Sequence, residues 1–240
     1  VYGLGARADD DAAVARIFAA KGRPSDHPLI VHVADAEHAQ AFAAEWPPLA
    51  ARLAAAFWPG PLTLIVPRRM SMAGAAAGGQ ATIGLRCPSH PLAHALLVEA
   101  ARRGVPGVAA PSANRYGRVS PTTAGHVHDE FGDAIAVLDG GACAVGIEST
   151  IIDCTRALEL GPVLLRPGSL ARQALQTAAG APLREPDAMA PRASGTLEAH
   201  YAPRAAVRLM DRQQIQTALQ VLHGSLPAGK AAKATAPGPT

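Results

Sequence analysis

The order of apolar and polar residues predicts an alternation of helices and strands. From 11 to 20 the apolar residues Val14, Ile17 and Phe18 recur at helical spacing, and aspartates stand at the N-terminal end, where the helix dipole favours negative charge. The next segment, "PLIVHV" (28–33), is short and rich in β-branched residues, which is typical of a strand. An alanine-rich helical pattern then runs from 35 to 57, with a break predicted at the prolines 47 and 48.

The same pattern continues through the first 180 residues. Further strands are predicted at 62–66, 81–88, 107–110, 134–138, 149–153 and 163–165, and further helices at 90–104, 122–130 and 170–179. Helix and strand alternate first, and consecutive strands follow. This order favours the α/β class, with a mixed sheet and helices on its faces.

Composition changes sharply after the last of these helices. Residues 184–204 are rich in Pro, Ala and Gly with little periodicity, so we interpret 1–183 as one domain and 184–204 as a linker. A strand and a helix over 205–226 would begin a second small α/β domain. The tail, 227–240, has a composition expected to be disordered.

Charge and cysteine content narrow the function classes. The net charge of +3 and the pI of about 9.0 suit a polyanionic ligand such as a nucleotide or RNA. The three cysteines have no paired metal-ligand spacing, which argues against a disulfide framework and a structural zinc. No apolar run is long enough to span a bilayer and no signal peptide is visible, so we expect no membrane contact and a cytoplasmic location.

Four loops join strand ends to glycine, hydroxyl groups and cations. They are "KGRPSDHP" (21–28), "TIGLRCP" (82–88), "APSANRYGRVSPTT" (110–123), and the pair "GIESTIIDCT" (146–155) with "LLRPGS" (164–169). Small residues let a phosphate approach backbone N–H groups, and Thr82 and Arg86 project from the same side of a strand. Each loop alone could also be an ordinary solvated turn. No Walker loop, dinucleotide fingerprint or "GxSxG" elbow is present.

Taken in order, these loops resemble one family. "VYGLGA", "KGRP…PLIVHV", "WPGPLT", "TIGLRCPSHP", "PSAN…GRVSPT", "GIESTI" and "LLRPG" are similar to the threonylcarbamoyl-AMP synthases of the YrdC-like family, from residue 1 to about 169. The segment ending "HYAP" resembles the two-domain form, in which a linker tyrosine folds back over the active site. The resemblance implies a YrdC-like twisted mixed sheet.

The resemblance also implies a reaction and a site. The substrates would be ATP, L-threonine and bicarbonate, the products threonylcarbamoyl-AMP and pyrophosphate, with Mg²⁺ bound mainly through ATP and no covalent intermediate on the enzyme. The product would serve tRNA modification, with tRNA or tRNA-modification proteins as further partners. ATP would contact Lys21, Arg23, His27, Thr82, Ala110, Ser112, Asn114, Ser120, Arg166 and Tyr201, and threonine would contact His32, Arg86, and Ser149 or Thr150.

Other interpretations stay open at this stage. The basic charge also fits an RNA-binding YrdC-like module without synthase activity, although no aromatic platform for bases is visible. A paralogue that adenylates another carbamoyl compound, as in hydrogenase maturation, would need zinc-finger cysteines and an acylphosphatase-like segment, which this sequence lacks. The family has a Pro-Thr-Glu-Thr stretch before "VYGLG", so we expect that a strand and a substrate-binding threonine precede Val1 and that the second domain is shortened.

Overall fold

The structure is a computed structural model, and it describes residues 1–195 and 207–225. The chain divides into two compact units, Val1–Ala202 and Pro203–Thr240, at a point inside the predicted linker. The first unit contains strands β1 (Ala6–Arg7), β2 (Ile30–His32), β3 (Leu62–Pro67), β4 (Thr82–Arg86), β5 (Val108–Ala109), β6 (Thr150–Asp153) and β7 (Val163–Arg166). Its helices are α1 (Asp11–Lys21), α2 (Ala36–Phe42), α3 (Pro48–Phe57), α4 (Pro91–Arg102), α5 (Ala124–Phe131), α6 (Ala157–Leu160) and α7 (Arg172–Ala179).

The seven strands form one mixed sheet in the order β1-β5-β2-β4-β3-β6-β7. The β2–β4 and β3–β6 pairs are parallel, and the other neighbours are antiparallel. The prediction of a mixed α/β sheet with flanking helices is therefore confirmed.

Alternation along the strands gives the sheet two unlike faces. Val31, Leu64, Leu85 and Ile152 are fully buried in the main core together with side chains of α1, α2, α3 and α7. The intervening residues lie on the opposite face because successive side chains of a strand point to opposite sides. That second face, which we call the polar face, carries the side chains of His32, Thr63, Arg86 and Arg166 beside a small apolar cluster around Ile65 and Ile151.

The structure differs from the sequence prediction in three places. The strand predicted at 134–138 is wrong: a short 3₁₀ turn at Gly132–Ala134 leads into irregular chain, and Leu138 is 56% exposed. A short apolar run does not make a strand without a neighbour to accept the backbone hydrogen bonds. β1 and α6 were not predicted as elements, since each is only one turn or one pair of residues long. The break after α2 begins at Ala43, before the prolines, because Ala43 pairs with Arg68.

The second unit contains the helix α8 (Arg212–Ser225). Asp211 and Gln214 form a reciprocal capping box: the backbone N–H of Gln214 donates to Asp211 Oδ1 (2.8 Å), and the N–H of Asp211 donates to Gln214 Oε1 (3.0 Å). The predicted helix is confirmed. The strand predicted before it is not formed in its described part, 207–211.

Candidate functional site

Lys21 fastens the end of α1 to the loop after β5. Gly22 ends the helix in the left-handed conformation (φ 62°), which glycine adopts without strain. The Lys21 side chain is 3% exposed, and its ammonium donates to the carbonyl oxygens of Ser112 (2.6 Å) and Asn114. The return contact comes from the N–H of Tyr116, which donates to the Lys21 carbonyl (2.8 Å). Two loops that are 90 residues apart in sequence are thereby held together.

The charged form of Lys21 is disfavoured by desolvation and by a neighbouring positive charge. Burial, and secondly the neighbouring Arg23 guanidinium, lower the pKa of Lys21 from 10.5 to about 7, against a weaker opposing effect of Glu130. No carboxylate in the described part of the chain lies within salt-bridge distance of Lys21 or Arg86. A bound anion would favour the charged form of Lys21 and offset its desolvation.

Arg23 reaches across the strand ends toward β7. Its Nη2 donates to the carbonyl oxygen of Pro28 (2.9 Å) and to the hydroxyl of Ser194 (3.3 Å). Ser194 belongs to the predicted linker, and its carbonyl oxygen accepts from Nη1 of Arg166 (2.6 Å). The linker therefore crosses the polar face and joins two cations that the sequence analysis assigned to ATP.

His32 and Arg86 are paired neighbours on β2 and β4. Nε of Arg86 donates to the carbonyl of Gly60 (3.0 Å), where a side chain is excluded because a Cβ would lie 2.0 Å from the carbonyl oxygen of Phe57. Burial, then the Arg166 charge, lower the pKa of Arg86 to about 10. Burial, then the Arg86 charge, lower the pKa of His32 to about 3, so this imidazole is neutral. Among the described residues, its buried Nδ1 has no hydrogen-bond partner.

Ser149 completes this row of side chains. Its hydroxyl lies 2.7 Å from the Thr63 hydroxyl and accepts from Nη2 of Arg166 (3.2 Å), while its carbonyl accepts from Nε of Arg166 (3.0 Å). Thr150, by contrast, pairs with Leu62 of the main core and lies on the helix-covered face. Of the two alternatives for threonine contact, the structure places Ser149, and not Thr150, on the polar face.

The remaining predicted residues belong mainly to the loops beside the polar face. His27 Nδ1 lies 3.1 Å from the Tyr116 hydroxyl, and the amide of Asn114 donates to the carbonyls of Arg115 (2.8 Å) and Arg118 (2.9 Å), which fixes the loop. The Ser120 hydroxyl donates to Glu148 Oε1. The other two predicted residues lie on or beside strands. Thr82 is the first residue of β4, and the backbone N–H of Ala110 donates to the Ile30 carbonyl (3.0 Å). Tyr201 lies outside the described residues.

Four contributors to the site were missed by sequence reasoning. Thr63 and Glu148 stand inside the quoted motifs "WPGPLT" and "GIESTI", so the alternation of β3 and the pairing of loops could have indicated them. Gly60 stands in the first of these motifs as well. Ser194 gave no signal, because it lies in a stretch without periodicity and its contacts are with residues at least 28 positions away.

The donor set around the site bears on metal binding. Among residues 1–195 and 207–225 there is no cluster of three His, Cys, Asp or Glu side chains that could hold a metal ion. None of the described helices is long and apolar enough to cross a membrane.

These features define an α/β protein whose mixed sheet presents a cationic, hydroxyl-rich face suited to a phosphorylated ligand and a small anion. A family model, Sua5_yciO_yrdC, described as "Telomere recombination", matches residues 1–168, and a second model, described as "Threonylcarbamoyl-AMP synthase, C-terminal domain", matches residues 162–238. The chain belongs to the Sua5/YciO/YrdC family, which confirms the resemblance found in its motifs.

Individual relatives are named for one activity. The threonylcarbamoyl-AMP synthases of Pyrococcus abyssi and Bacillus subtilis are 43% and 41% identical over 217 and 218 residues, which is 88% of this chain and 62% and 61% of theirs. A crystal structure of Pyrococcus abyssi Sua5 complexed with L-threonine matches with a TM-score of 0.80 at 39% identity, covering 93% of this chain and 66% of that one. The chain thus spans about three fifths of the length of the curated relatives that it matches.

Proposed function

We propose that this chain is a nucleotidyltransferase that binds ATP and L-threonine and, with bicarbonate, forms threonylcarbamoyl-AMP and pyrophosphate. The observation that carries the proposal is the row of side chains across the polar face, where His32, Arg86, Thr63, Ser149 and Arg166 adjoin the Arg23 loop. The names of the relatives and the threonine complex of the Pyrococcus protein support it.

In this proposal the two ends of the row bind different anions. Arg86 would bind the carboxylate of threonine, because its planar guanidinium suits bidentate contact and the repulsion from Arg166 would be relieved. The neutral imidazole of His32 adds no charge beside the substrate ammonium group. Lys21, Arg23 and Arg166 would bind the phosphates, with one ammonium proton of Lys21 left after its two carbonyl acceptors.

The reaction needs alignment more than a nucleophile from the protein. The threonine amine and bicarbonate combine to a carbamate with loss of water, and a carbamate oxygen attacks the α-phosphorus while pyrophosphate leaves on the opposite side. Holding reactants in line lowers a barrier by roughly 7–11 kcal/mol, and fixed cations stabilise charge on the phosphoryl oxygens. Mg²⁺, bound through ATP, would neutralise part of the triphosphate charge. tRNA or tRNA-modification proteins as partners, and a cytoplasmic location, stay predictions.

Isothermal titration of ATP into the 240-residue chain tests the nucleotide site. Arg23→Ala removes charge-assisted hydrogen bonds and should weaken ATP binding roughly 10- to 100-fold. Arg16→Ala is the matched control, since Arg16 is an exposed arginine on the helix that precedes Arg23, and it should leave affinity unchanged. Absence of ATP binding by the unmodified chain, with a cooperative melting transition, would contradict the proposal.

A second experiment tests the amino-acid substrate. Pyrophosphate release from ATP should require both L-threonine and bicarbonate, and Arg86→Met should raise the KM for threonine more than the KM for ATP. Release that does not depend on threonine would contradict the assignment of the substrate.

A further inference from the structure

The linker places one hydroxyl group between two guanidinium groups of the proposed nucleotide site. We propose that Ser194 is a positioning residue that fixes the orientation of Arg23 and Arg166 before the nucleotide binds. The proposal rests on the proposed function for the identity of the ligand, but the contacts themselves do not depend on it.

The carbonyl group and the hydroxyl group of Ser194 both form hydrogen bonds. Its carbonyl oxygen accepts from Nη1 of Arg166 (2.6 Å), and its hydroxyl oxygen accepts from Nη2 of Arg23 (3.3 Å). The hydroxyl group donates a hydrogen bond to the carbonyl oxygen of Pro28 (2.6 Å), which also accepts from Nη2 of Arg23 (2.9 Å). Ser194, Arg23 and Pro28 thus form a closed triangle of hydrogen bonds, and Arg166 is attached at its corner.

A hydroxyl group is the side chain that this triangle requires. It donates one hydrogen bond and accepts another at the same atom, which alanine cannot do. Without it, the Arg23 guanidinium would keep the Pro28 carbonyl but lose its hydrogen bond to the Ser194 hydroxyl. Arg166 would keep its acceptor, because that acceptor belongs to the backbone.

The linker is held in place by contacts away from both arginines. The side chain of Gln80 pairs with the backbone of Arg192, accepting from its N–H (2.9 Å) and donating to its carbonyl (3.1 Å). The Arg192 guanidinium forms an ion pair with Asp26 (3.0 Å). Near the start of the segment, Arg156 donates two hydrogen bonds to Asp187 (2.8 and 2.9 Å). Ser194 is consequently placed by the fold and can orient the arginines, instead of being placed by them.

Pre-ordering has a physical consequence for binding. A free arginine side chain loses up to about 2 kcal/mol of rotamer entropy when a ligand fixes it. If Ser194 has already restricted Arg23, less of this cost remains when phosphate binds, so affinity is higher. Pre-ordering by Ser194 should therefore raise the affinity for the phosphates. It should leave the binding of the threonine carboxylate at Arg86 unchanged.

The test compares Ser194→Ala with Ser194→Thr, which keeps the hydroxyl, and with Met189→Ala, which changes only an exposed apolar side chain of the same segment. By isothermal titration, Ser194→Ala should weaken ATP binding roughly 10-fold, and the other two variants should bind within about 2-fold of the unmodified chain. In turnover assays the KM for ATP should rise in Ser194→Ala while the KM for threonine stays constant.

Three results would overturn the positioning role. They are unchanged ATP affinity in Ser194→Ala, an equal loss in Ser194→Thr, and tighter ATP binding in Ser194→Ala, which would mean that the linker competes with the nucleotide. A measurement without nucleotide separates this proposal from the proposed function: the ¹⁵Nε order parameter of Arg23, measured by NMR, should fall in Ser194→Ala and recover in Ser194→Thr. An unchanged order parameter refutes the positioning role whether or not ATP binds.

Discussion

Nucleotide binding should take up a proton near pH 8, because burial favours the neutral form of Lys21 in the ligand-free chain. Burial lowers its pKa to about 7 in the ligand-free chain. At pH 8 about 0.9 of the Lys21 side chains are then neutral, and at pH 7 about half. A triphosphate beside Lys21 favours the charged form, which raises its pKa on binding.

The number of protons taken up on binding follows from these fractions. If the pKa of Lys21 in the complex is 9 or higher, about 0.8–0.9 proton is taken up per nucleotide at pH 8, and the affinity falls by up to about tenfold per pH unit between pH 8 and the pKa of the complex. The sign for folding is opposite to that for binding. Between pH 7 and 10.5 the unfolded chain binds more protons at this residue than the folded chain, so the stability of the ligand-free chain rises with pH in that window.

The assay is isothermal titration of ATP at pH 8 in buffers with different ionisation enthalpies. Phosphate groups titrate near pH 6 and are already ionised at pH 8, so they contribute little. Lys21→Arg is the control, since a guanidinium stays charged and should remove the proton uptake. Uptake close to zero in the unmodified chain, or equal uptake in Lys21→Arg, would refute the reasoning.

Two further predictions concern stability. Arg68 is buried and donates to the carbonyls of Met70 (3.1 Å), Met72 (2.9 Å) and Gln80 (2.8 Å), so Arg68→Met should lower the free energy of unfolding by about 2–4 kcal/mol. Urea unfolding would measure this, and a similar loss in the exposed control Arg69→Met would count against it. At Gly168 a Cβ would lie 2.5 Å from the backbone N of Thr150, so Gly168→Ala should cost about 1–3 kcal/mol. Calorimetry should show a lowered Tm for Gly168→Ala. The Tm should not be lowered for Gly125→Ala, where the nearest atom is 3.8 Å from the added Cβ.

The sequence by itself determined most elements of the first unit. Apolar periodicity is a local property, so helices such as α1 and strands such as β3 were readable from their own residues. The fold class followed from their order. Thr82 and Arg86 were correctly placed on one side of a strand, since alternation depends only on their spacing.

Tertiary structure decided what depends on a distant partner. The segment 134–138 is an apolar run of strand length yet is irregular, because a strand also needs a neighbour for its backbone groups. Ser149 and Thr150 are adjacent in sequence, but the register with β3 sends them to opposite faces of the sheet. Ser194 lies in a stretch that periodicity describes only as a linker, and its contacts with Arg23 and Arg166 exist because the folded sheet brings the three together. Local patterns encode which face a residue takes within its own element, whereas a site assembled from several loops depends on contacts that no local pattern contains.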